Sequence, residues 1–102
     1  MSSSKYSVRL LPIAEEDLRE IISYIAAENM TAAYELVDRI EKNLQHLSSH
    51  PYLGKIPDDE KLSMLGYRFT VVENYLIFHT ISRKTVLIHR IIHGARDLKY
   101  LL

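Results

Sequence analysis

The sequence predicts a single α+β domain over residues 1–102: an N-terminal strand, a two-helix hairpin, an antiparallel three-stranded meander and a short C-terminal tail, with the helices packed on one face of the sheet. Three observations predict it. Apolar residues recur at helical spacing between Leu18 and Leu47, β-branched and aromatic residues fill three runs after Gly66, and short polar turns separate those runs. A chain of 102 residues that is 47% hydrophobic and 25% charged has the size and balance of one ordinary globular unit.

The first element is Tyr6 to Leu11, a short mix of Tyr, Val and Leu closed by Pro12, which has no N–H to give a ladder. From Ala14 the set Leu18, Ile21, Ile22 and Ile25 lines one helical face, and Glu15, Glu16 and Asp17 sit where a helix N-terminus favours negative charge. This helix stops near Glu28-Asn29-Met30. Asn29 suits a left-handed helix end, and either Asn29 or Thr31 suits the cap of the next helix. The second helix carries Ala33, Leu36, Val37, Ile40, Leu44 and Leu47 on one stripe. It loses its pattern at Ser48-Ser49-His50-Pro51, because a residue before proline is pushed out of the helical region.

Pro51 to about Met64 reads as a connecting loop, longer than usual and so a place to expect recognition contacts. Three strands follow: Tyr67 to Val72, Tyr75 to Ile81 and Thr85 to His93, with turns at Glu73-Asn74 and Ser82-Arg83-Lys84. The later strands are apolar on both faces, with Leu76 and Phe78 on one side and Tyr75, Ile77 and Ile81 on the other. One helical hairpin covers one face only, so the second face calls for cover from the Gly94 to Leu102 tail or from a partner.

The composition narrows the function classes. Thirteen basic residues balance thirteen acidic ones, so no overall field draws the chain to nucleic acid or an anionic membrane. The absence of cysteine excludes disulfides, thiolate metal sites and cysteine nucleophiles and suits a reducing cytosol. No apolar run approaches the roughly 18 to 20 residues of a membrane span. A cytoplasmic protein is the expectation.

The residues carry a resemblance. Ala14-Glu15-Glu16-Asp17-Leu18 followed by Tyr24-Ile25, then Pro51 to Gly54, Gly66-Tyr67-Arg68, Tyr75 to His79, and Ile88-His89-Arg90-Ile91-Ile92-His93-Gly94-Ala95-Arg96-Asp97 follow in order the motifs of the RelE/ParE toxins of bacterial type II toxin-antitoxin systems. The chain resembles that superfamily over nearly its whole length and looks closer to the ParE branch. The resemblance implies a twisted antiparallel sheet backed by the hairpin, and a cognate antitoxin whose flexible segment wraps the toxin. It implies DNA contact only through that antitoxin, and no cofactor. A homodimer through the hairpin is a further possibility.

Two targets follow from the resemblance: DNA gyrase, bound and inhibited, or ribosome-bound messenger RNA, cleaved without a metal. The second needs a cation, a base and an acid around a ribose 2′-hydroxyl. Arg68 and Arg96 match positions where the nuclease branch carries arginines, which hold phosphate by two-pronged hydrogen bonds. His93 and Tyr100 then complete the set of catalytic candidates, and His79 and His89 are further candidate bases. Structural roles compete: the arginines can pair with acids such as Glu73 and Asp97, and the histidines can be hydrogen-bonded parts of the sheet. A His79-His89-His93 metal site is rejected, since i, i+4 along a strand separates His89 from His93 by about 13 Å. The loop offers Lys55 and Lys61 among Asp58, Asp59 and Glu60, a mixture poorly suited to ribosomal RNA. The expectation is therefore an inhibitor that binds gyrase, with Arg68, Arg90, Arg96 and Phe78 as contacts to target or antitoxin.

Overall fold

A computed structural model describes residues 5–94. The elements run β1 (Ser7–Leu10), α1 (Pro12–Ala26), α2 (Met30–Ser49), α3 (Glu60–Met64), β2 (Arg68–Val72), β3 (Tyr75–Ser82) and β4 (Thr85–His93). The expected α+β order is present, and the tail from residue 95 lies outside the described residues.

Pro12 opens α1 at its first turn, where a missing N–H costs nothing. Asn29 is extended, not left-handed, and caps α2 by accepting from Ala32 N at 3.0 Å. The meander is antiparallel as expected, with Arg68 opposite His79 and Tyr75 opposite His93. β1 joins the far side of β4 in parallel, giving the order β1-β4-β3-β2. The sheet is thus mixed, since the path from β1 through the hairpin to the meander returns the last strand alongside the first.

The helical hairpin buries one face. Ala14 of α1 and Leu36, Ile40 and Leu47 of α2 pack with Val72, Tyr75, Ile77, Val86, Ile88 and Ile91 of the sheet. Ile88 and Ile91 share that face despite their odd spacing because a bulge interrupts the β3–β4 ladder beside Phe78 and His79.

The second face is where the structure departs from the sequence reading. The loop after α2 contains α3, capped by Asp59, whose carboxylate accepts from Leu62 N at 2.9 Å. α3 ends with Tyr67 N bonded to Leu62 O and Gly66 N to Ser63 O, with Gly66 at φ +85, the paired closure that a left-handed glycine permits. Leu62 then joins Phe78 and Ile92 in a small second core flanked by Tyr67, Phe69 and Leu76. Part of the missing cover is therefore the loop itself.

Candidate functional site

Arg68 and His79 are cross-strand partners at the end of the sheet where α2 gives way to the loop, and they grip two successive carbonyls of that loop. His79 Nε2 donates to Pro51 O at 2.9 Å, and Arg68 Nη1 donates to Tyr52 O at 3.0 Å, with Arg68 Cζ 5.5 Å from the centre of the Tyr52 ring. The carbonyl can only accept, so the proton of neutral His79 sits on Nε2 and Nδ1 is left buried without a partner. Burial of this fully enclosed ring holds the His79 pKa below the ordinary value of 6.5, and the Arg68 charge pushes the same way against the Pro51 bond. Beyond Pro51 the loop lies against β2, pairing Lys55 with Phe69. Gly54 makes this approach possible: its φ is +105, and a Cβ there would stand 2.5 Å from Phe69 O.

His89 lies on the opposite face. Thr80 Oγ1 is 2.8 Å from its Nε2 and Tyr67 Oη is 3.2 Å from its Nδ1, so hydroxyls satisfy both nitrogens in either tautomer. Burial, then repulsion from His79, lowers its pKa below 6.5. The bulge separates His89 from His93, which stands opposite Tyr75 with the rings edge-on at 5.6 Å.

Arg90 faces an acid that sequence reasoning placed only at a helix N-terminus. Its Nε and Nη2 reach the two Asp17 oxygens at 2.7 and 3.0 Å, and one of those oxygens also accepts Ile91 N at 3.0 Å. Asp17 thus ties α1 to β4 beyond Leu10, where β1 ends and leaves the β4 edge open. The pair is 73 residues apart, and nothing in the local pattern announces it. Glu73, one expected partner of Arg68, instead binds Arg39 at 3.0 Å.

The two catalytic candidates among the described residues, Arg68 and His93, do not converge. Arg68 shares a row with His79, whereas His93 shares one with Tyr75 on the other side of β3. Four residues along a strand and two strand spacings put Arg68 and His93 roughly 16 Å apart. Arg96 and Tyr100 lie outside the described residues. Phe78, expected as a contact residue, is 1% exposed. The reason is α3: Phe78 forms the floor, with Phe69 and Leu76, of a cavity of about 190 Å³ walled by Pro57 and Leu62 and edged by Asp58 and Asp59. Near these lining residues in sequence, Ile56, Met64, Leu65 and Val71 are exposed. No described helix is long and apolar enough to cross a membrane.

A family model described as the ParE toxin of the type II toxin-antitoxin system parDE matches residues 8–98. Among solved structures, the chain is similar to one from the chromosomal ParDE system of P. aeruginosa, with a TM-score of 0.72 and 19% identity over 89% of this chain and 98% of that one. It is also similar to a chain of the RelBE2 toxin-antitoxin complex of Mycobacterium tuberculosis, with a TM-score of 0.57 and 25% identity over 87% of this chain and 91% of that one. Among curated proteins, no relative matches.

Proposed function

The chain belongs to the ParE toxin family of type II toxin-antitoxin systems, and we propose from that premise that it arrests bacterial growth by binding DNA gyrase and is silenced by a cognate antitoxin. The observation that supports binding over cutting is the dispersal of the candidate groups among the described residues. Arg68 is engaged with the Tyr52 carbonyl and ring, Arg90 with Asp17, and His79 is sealed beneath Pro51. A 2′-hydroxyl and its phosphate need a base and a cation within hydrogen-bond reach of the same few atoms. Arg68 and His93 stand too far apart to serve one such group. Fold likeness to chains of ParDE and RelBE2 systems supports an antitoxin as partner.

In this reading Arg68 acts by positioning. It holds the Pro51–Ile56 stretch and its exposed Tyr52, Leu53 and Ile56 where a large partner meets them. Arg90 acts likewise through Asp17, and Arg96 is the remaining candidate for direct contact. The test is a supercoiling assay with purified gyrase. Inhibition at near-stoichiometric chain, relieved by the antitoxin, is the expected result, and undiminished supercoiling at a large excess overturns gyrase as the target.

A further inference from the structure

The cavity beneath α3 is used by nothing described so far. Its volume of about 190 Å³ is below the roughly 300 Å³ at which small-molecule sites begin, and it lacks the convergent polar groups such sites use for orientation. The size suits one bulky side chain, and the floor and walls of Phe69, Leu76, Phe78, Pro57 and Leu62 are apolar. Anchors of that kind, a large side chain in a desolvated pocket ringed by weaker contacts, carry much of the energy of protein interfaces.

The charge at the edge selects the partner further. Asp58, Asp59 and Glu60 follow one another at the cavity edge and the start of α3, in a chain whose net charge is zero. Asp59 caps the helix. Asp58 and Glu60 are exposed and form no ion pair among the described residues. The nearest basic residues in sequence, Lys55 and Lys61, leave them unpaired, so local negative charge lies along one edge of the apolar opening.

We infer that this cavity seats one bulky apolar side chain of the antitoxin, presented on a segment with Lys or Arg on either side of it. The inference rests on the toxin-antitoxin reading and adds the chemistry of the segment and the place it docks. Val71, exposed on the same face beside Leu76, extends the apolar track along which such a segment runs.

The test uses the full chain, methyl-labelled at leucine, in complex with its co-expressed antitoxin. Intermolecular NOEs from the Leu62 and Leu76 methyl groups to a single Leu, Ile, Met, Phe or Trp that has basic neighbours within three positions are expected. A tight complex in which those methyl groups contact only their own chain, or meet a side chain flanked by acids, overturns the inference. A second measurement avoids the core. The exposed pair Asp58→Lys with Glu60→Lys weakens antitoxin binding about tenfold at about 0.1 M salt, and the difference disappears near about 1 M. Equal affinity at both salt concentrations overturns the charged edge. A chain that no antitoxin neutralises fails the toxin-antitoxin reading itself, an outcome distinct from a tight complex with an empty cavity.

Discussion

The two faces of the sheet are built from equally apolar residues and end in different states. On the hairpin face thirty-five residues of α1 and α2 lie over β-branched side chains, and the loop at Pro51 completes the cover over His79. On the other face the five-residue α3 covers only Phe78 and Ile92, and it leaves a cavity and a fringe of exposed Met64, Leu65 and Val71. The difference is one of cover rather than composition. One face holds the fold together, and the other keeps apolar area available for a partner.

Adjacent residues of β3 give the sharpest test of that division. Ile77→Ala, in the closed core, is expected to cost about 3–4 kcal/mol in urea unfolding, whereas Leu76→Ala, beside the cavity, costs about 1–2 kcal/mol. Equal costs would erase the distinction. Gly54→Ala comes next, at about 2 kcal/mol, because a left-handed backbone and the Phe69 carbonyl both oppose a side chain there. Its damage is expected first in the loop, as faster hydrogen exchange from Lys55 to Tyr67 before the hairpin core opens.

The pH dependence has a source on each face, His79 on one and His89 on the other, and both lose stability in acid. His79 has a folded pKa below its unfolded 6.5, so the unfolded chain takes up the proton first. Stability is complete above 6.5 and falls as the pH drops below it, by at most about 1.4 kcal/mol per pH unit for this group. The measurement is unfolding free energy against pH, and His79→Gln makes the acid-side slope shallower while the part due to His89 remains. The smallest effect is expected at the cavity edge, where Asp58→Lys shifts stability by no more than about 0.5 kcal/mol. A larger loss would make that edge part of the fold rather than of an interface.

Much of the fold was legible because its signals are local. The stripe from Leu18 to Ile25, the second from Ala33 to Leu47 and the apolar runs after Gly66 each state their own element. α3 escaped because five residues with charges among them, Glu60 to Met64, show too little period to separate from a loop. The bulge at Phe78/His79 escaped for another reason: it moves His89 away from His93 without a glycine or proline to mark it. The candidate site was the least legible. Arg68, His79 and Arg90 lie on strands as expected, but their partners are distant: Arg90 with Asp17, His79 with Pro51, Arg68 with Tyr52. Glu73 was a natural partner for Arg68 by sequence proximity, and α2 brings Arg39 to it instead.

The claim that this ParE family chain acts by binding and not by cutting is tested most directly inside growing bacteria. The chain and its Arg96→Ala variant are induced separately while growth is scored and RNA 5′ ends are mapped across the transcriptome. Growth arrest by the unaltered chain with transcripts left intact is the predicted result. Cuts in phase with translating ribosomes that vanish in Arg96→Ala would contradict it and make Arg96 part of a nuclease site.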